Sequence, residues 1–343
     1  MVPFHQKRLK KEKMENENRL EELLDLNLET VQPSTFLEPL REDQKKMFRD
    51  IISNLVIHTG SASTHEANLV FRGESLANLS LKLSSISCEL DEKKIPELLF
   101  YFGDKAKDYY KNYDDEAKSL RLLQNIEDTS EMTCKVIFEK IKEVLNKESS
   151  KKFRRSNKSF STFFETDNLS TFIAQLAGDQ ALRDYYLYLL HATGVSSVLV
   201  STSLSYNAAL KFGATSKDQC VIYYIVPEPI RNFAVSHLLM EAYEEVFSSR
   251  GMPIYKSKTL HPEEYEVAIR GALFSCFILG LRVDKWSQFI VNPHLFSKNN
   301  KYDSIIAGLD IDQHDIAARL VDTGYKGGVC THLDGRFQTL NNS

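Results

Sequence analysis

One run that reads as a buried strand stands far upstream of the others. In Asn68-Leu69-Val70-Phe71-Arg72-Gly73-Glu74, three apolar residues lead straight into Arg-Gly, as in a strand that delivers an arginine to a site at its end. Helix-favouring sequence rich in Lys, Glu, Leu and Tyr follows, from Glu89 to about Lys151. Strand-like texture returns only after Gly194, at Val195–Thr202, Cys220–Val226, Tyr265–Ile269 and Ala272–Val283. The chain therefore combines helices and strands.

At 343 residues the chain is long enough for two domains, or for one large domain with extensions. Its 43 basic and 47 acidic residues leave a net charge of −4, which argues against a sequence-blind nucleic-acid binder. Hydrophobic residues at 42% and charged residues at 26% exclude wholesale disorder. Cys88, Cys134, Cys220, Cys276 and Cys330 are scattered, with no CxxC pair, so a reduced, cytoplasmic chain without a disulfide scaffold or cysteine zinc site is expected. The N-terminal residues lack the apolar core of a secretory signal. The longest apolar stretch, Ala272 to Leu281, is about half of what a bilayer span needs. A soluble protein with no membrane insertion is expected. No calcium loop, phosphate loop or zinc-protease helix survives inspection, and no metal is expected.

Residues 1–60 read as a helical extension. Leu20, Leu23, Leu24 and Leu28 form one amphipathic stripe, and a second helix covers Glu42 to Ile57. The main domain is expected over 61–285, with a helical insertion at about 90–190, and a C-terminal extension over 286–343. Within the domain, Lys151 to Ser161 reads as an exposed basic loop. Thr171 to His191 reads as one helix, Asn207 to Phe212 as a helical turn and Phe233 to Ser249 as a helix. Gly251 to Pro262 reads as a loop, and a further helix is expected near Asp315 to Thr323.

Three segments attract attention as ordered punctuation of the strand-like runs. They are Phe71-Arg72-Gly73, Ser201-Thr202-Ser203 and Glu264-Tyr265-Glu266-Val267, the last followed by Gly271 and Phe274. Their order and flanks resemble the arginine–serine–glutamate class of mono-ADP-ribosyltransferases. A second resemblance overlaps it, to FRG domains, an ADP-ribosyltransferase-like group. It rests on Phe71-Arg72-Gly73-Glu74, Leu189-Leu190-His191, Asn207 to Phe212 and Arg270 to Phe274. The chain departs from FRG domains at Ser196 to Ser201, where both the Arg and the Asp of their usual run are missing. Together the resemblances cover about residues 65–283, and they imply an α+β fold with a split mixed β-sheet core of ADP-ribosyltransferase type.

The resemblance implies NAD as co-substrate and Arg72, Ser201, Glu264 and Glu266 as catalytic residues. Arg72, Gly73, Ser201, Thr202, Ser203 and Glu266 would contact NAD. Cleaving the nicotinamide bond develops an oxocarbenium ion, which a carboxylate near the ribose stabilises; Glu266 is the candidate, held by Ser201. The Arg72 guanidinium suits the pyrophosphate, and Gly73 allows close backbone approach. In an extended segment Glu264 and Glu266 point to one side, so Glu264 could hold an incoming guanidinium.

Each residue also has a plain reading: Arg72 as a structural ion-pair residue, the serines as strand-end hydrogen bonders and the glutamates as surface acids. His191 would be a helix C-terminal residue on end carbonyls. Tyr255 would be either a packed aromatic or a contact to a protein substrate.

The expected activity is transfer of ADP-ribose from NAD to an arginine of a target protein. The alternatives are an NAD glycohydrolase using the same site and a catalytically silent ligand-binding or interaction module. The class of the resembled proteins implies a bacterial effector or toxin, acting in cytoplasm and translocated into a host cell, with no nucleic-acid partner.

Overall fold

The computed structural model describes residues 14–31, 37–61, 69–83, 92–104, 131–194, 199–213, 218–226, 234–260, 264–270, 273 and 277–296. The helix expected near Asp315 to Thr323, and Gly271 and Phe274, lie outside these residues. The chain divides into two compact units. The first comprises Met1–Ser119, Thr202–Phe233 and Ala272–Ser343, and the second Leu120–Ser201 and Ala234–Gly271. Strands and helices together make an α+β protein with mixed strand pairing.

The first unit is organised around β1 (Asn27–Val31), β2 (Leu37–Pro39), β3 (Leu69–Ser75), β5 (Gln219–Ile225), β8 (Ile278–Val283) and β9 (Gln288–Val291). They lie in the order β2-β1-β9-β8-β5-β3, with Ser203 at the end of β4 (Leu199–Ser203) opposite Phe71. The β1–β9 pair is parallel, and the β1–β2, β3–β5, β5–β8 and β8–β9 pairs are antiparallel. β3 is buried along almost its whole length, as the apolar run from Leu69 to Phe71 implied. Phe71 packs edge-on against its cross-strand partner Tyr223 at 5.0 Å, and Tyr223 does the same to Phe289 at 5.1 Å. Each such pair contributes about 0.5–1.5 kcal/mol beyond the area it buries. The helix Glu42–Ser61 buries Phe48, Ile51, Ile52 and Leu55, and Phe48 reaches Phe289 at the end of this row.

Residues 1–60 are not purely helical, because β1 and β2 lie among them, and Leu28 belongs to β1 rather than to a helical stripe. The strand β9 lies within residues 286–343 and pairs with β8.

The second unit pairs β6 (Ala234–Ser236) with β7 (Glu266–Arg270), and β7 neighbours β4. Helices Glu131–Asn146, Lys158–Glu165, Leu169–Leu176, Gln180–Ala192 and His237–Ser249 bury one core rich in aromatic rings. Lys151 to Ser161 is helical, not a loop: Lys151–Ser156 and Lys158–Glu165 flank Asn157. Phe153, Phe160 and Phe164 turn inward, Phe153 meeting Phe160 edge-on, while Lys151, Lys152, Arg155 and Lys158 stay exposed.

Thr171 to His191 is two helices rather than one, broken at Gly178, whose φ of 78° suits glycine, and restarted by the Asp179 cap on the Leu182 amide. Phe233 to Ser249 opens as β6 before the helix begins at His237. Tyr255 is fully buried and stacked on Tyr185 at 4.4 Å, so it is a packing residue. Among the described residues no helix is long and apolar enough to cross a membrane.

Candidate active site

The second unit gathers a compact polar cluster around Glu266, the first residue of β7. Its surroundings come from two further elements. Ser201 stands on the neighbouring β4. Tyr188 and His191 lie three residues apart on the helix Gln180–Ala192, which sets them on one face. That helix ends at His191 and Ala192 because Thr193 takes the Leu189 carbonyl with its hydroxyl at 2.7 Å and Gly194 turns the chain at φ 67°. The His191 ring turns its Nε2 away from the helix end and into the cluster. Its Nε2 lies 2.8 Å from Glu266 Oε1 and 2.9 Å from Ser201 Oγ. Ser201 and Tyr188 also hydrogen-bond Glu266.

The electrostatics follow from burial against donors. Burial, with the side chain only 11% exposed, pushes the Glu266 pKa up. The hydrogen bond and charge of His191, and the hydrogen bonds of Ser201 and Tyr188, outweigh it and hold the carboxyl below its ordinary range. Burial and the charges of Glu266 and Glu264 push the Tyr188 phenol far above its ordinary value, so it remains a neutral donor.

An ionised carboxylate only accepts hydrogen bonds, so the His191 Nε2 facing it carries a proton. The Ser201 hydroxyl gives its hydrogen to Glu266 and turns a lone pair toward Nε2. A nucleophilic serine needs an unprotonated imidazole nitrogen beside it, with the orienting carboxylate on the opposite nitrogen. Here serine and carboxylate share one nitrogen. The cluster therefore serves as a cradle that keeps a carboxylate charged, not as a nucleophilic triad.

Glu264 falls outside the strand. Tyr265 between the two glutamates has φ 48°, so the segment is not extended there. The alternation that would send both carboxylates to one side is broken. Glu264 still acts on the cluster through its charge on Tyr188.

Comparison of the chain with protein-family models, with curated proteins and with solved structures finds no match.

The remaining candidates belong to the first unit. Arg72, in the middle of β3, gives Nε to Asp104 Oδ2 at 2.6 Å and Nη2 to Glu74 Oε1 at 2.7 Å. Lys82 adds contacts to Glu74 at 2.6 Å and to Asp104 at 3.4 Å. Glu74 is two residues along the strand from Arg72 and so shares its face. The result is a partly buried cluster of two cations and two anions.

Gly73 is buried opposite Val221 in the ladder. Thr202 and Ser203 are buried, and the Ser203 hydroxyl accepts the Ser205 amide at 2.9 Å in the turn leading to the helix Tyr206–Gly213. Asp104 and Tyr188 escaped sequence reasoning. Asp104 lies far along the chain from Arg72 and carries no local signal. Tyr188 did carry one, as the polar-tipped residue in the apolar run Leu187 to Leu190, three positions before His191.

Proposed function

We propose that Glu266 is the catalytic carboxylate of an enzyme that cleaves the N-glycosidic bond of NAD and passes ADP-ribose to an arginine of a protein. The observation that carries this reading is the charged, nearly buried Glu266 carboxylate, held by Ser201, His191 and Tyr188. A preorganised anion in a site largely closed to water favours a reaction in which positive charge develops. When the bond from ribose C1′ to the nicotinamide nitrogen breaks, its electron pair leaves with neutral nicotinamide and C1′ becomes cationic. Glu266, accepting a hydrogen bond from the ribose 2′-hydroxyl, stabilises that cation. A guanidino nitrogen then bonds to C1′ and gives up a proton.

The resemblance in Ser201-Thr202-Ser203 and Glu264-Tyr265-Glu266 supports the same assignment, and with it a core of ADP-ribosyltransferase type. A second reading, hydrolysis of NAD by water at the same carboxylate, is favoured by the turn at Tyr265. That turn removes the geometric reason for both glutamates to face one acceptor. Incubation with NAD labelled in the adenylate portion, with and without protein acceptors, tests both readings. Label on protein supports transfer. Free nicotinamide with unlabelled protein supports hydrolysis. Intact NAD rejects both.

A further inference from the structure

We propose that His191 and Tyr188 are positioning residues that, with Ser201, fix the Glu266 carboxylate in one orientation for a substrate that becomes cationic. The proposal rests on the assignment of Glu266 as the catalytic carboxylate and adds two residues that the three-segment resemblance does not name.

A glutamate at the first position of a strand has freely rotating side-chain bonds unless its neighbours restrain it. Here the restraints come from two separate elements. The helix supplies the His191 imidazole and the Tyr188 phenol, and β4 supplies the Ser201 hydroxyl. Three donors of different shape triangulate one carboxylate, which a single serine could not do. Neither His191 nor Tyr188 is placed to do the chemistry. The Nε2 proton is already committed to Glu266 Oε1 at 2.8 Å. The phenol is pushed away from ionisation by burial and by two carboxylates, so it does not serve as a base near neutral pH. Both act through Glu266. The groups that face Glu266 are His191 and Tyr188 from the helix and Ser201 from β4, with Glu264, just before β7, acting on Tyr188.

Two readouts test this. The first is the titration of the Glu266 carboxyl carbon, followed by NMR of protein labelled with 13C-glutamate and assigned with Glu266→Gln. The second is steady-state nicotinamide release from NAD. Tyr188→Phe and His191→Ala should each move the titration midpoint upward. Each should lower kcat about tenfold or more with KM little changed. His191→Gln, whose amide nitrogen reaches about as far as Nε2, should restore most of both. Tyr188→Phe removes a single oxygen and so tests the idea even if His191→Ala fails to fold. Unchanged midpoints in folded variants would overturn the proposal. So would shifted midpoints with wild-type kcat. If the wild-type protein releases no nicotinamide while the midpoints still shift, the NAD reading fails and the restraint on Glu266 stands.

Discussion

Glu266 stays charged while nearly excluded from water because its donors outweigh the cost of burial, and that balance makes single substitutions informative. Glu266→Gln keeps the shape of the side chain and removes its charge. It should slow nicotinamide release by about a hundred-fold or more, the usual cost of losing one preorganised electrostatic contact. Near wild-type release from a folded variant would remove Glu266 from the chemistry. Glu264→Gln should behave differently. Glu264 lies outside β7, across the turn at Tyr265, and on the transferase reading it serves the arginine acceptor rather than the ribose. Protein modification should fall while NAD hydrolysis persists, because water needs little positioning. Equal loss of both activities would place Glu264 with NAD or with the fold.

At the scale of elements, β3 and β8 show how tightly the first unit is specified. Arg72 on β3 neutralises Glu74 and the almost fully buried Asp104. Arg72→Ala would take the guanidinium away from those carboxylates and should cost about 3–5 kcal/mol in urea unfolding. Arg72→Lys, lacking the fork, should recover part of that. A loss below about 1 kcal/mol would return Arg72 to the free, phosphate-reading role that its motif implies. On β8, a Cβ at Gly280 would lie 2.5 Å from the Phe289 ring and 2.6 Å from the Ile290 carbonyl oxygen. Gly280→Ala should therefore destabilise by about 1–3 kcal/mol, because a strand backbone has to move. An unchanged melting midpoint would contradict this close approach. β3 and β5 were legible because their apolar runs are dense enough to be seen alone. β1 and β9 were not, since each is short and its parallel partner is remote in sequence. The helix Lys158–Glu165 was hidden by its basic flank, although Phe153, Phe160 and Phe164 recur at helical spacing.

At the scale of the whole molecule, the candidate residues divide between two units. Ser201, Glu264 and Glu266 belong to one; Arg72, Gly73, Thr202 and Ser203 belong to the other. The sequence could bring Ser201 and Glu266 into one hypothesis through a resemblance. It singled out His191 but could not join it or Tyr188 to Glu266, because a helix face and two strands meet only once the chain has folded. The same cluster ties the stability of the protein to pH. The folded-state pKa of Glu266 lies below its ordinary value, so its charge favours the fold above an unfolded pKa of about 4.3. That contribution is lost as pH falls through the folded value. Glu29 works in the opposite direction, because burial raises its pKa, and both variants retain it. As pH falls below about 5, wild-type unfolding free energy should therefore fall more steeply than that of Glu266→Gln, which has no proton to gain at this position. His191→Gln, which keeps a donor on the carboxylate, should stay closer to the wild-type slope than His191→Ala. Parallel slopes for wild type and Glu266→Gln in urea titrations would show that the carboxylate is not held charged in the folded protein, and the cradle would lose its electrostatic basis.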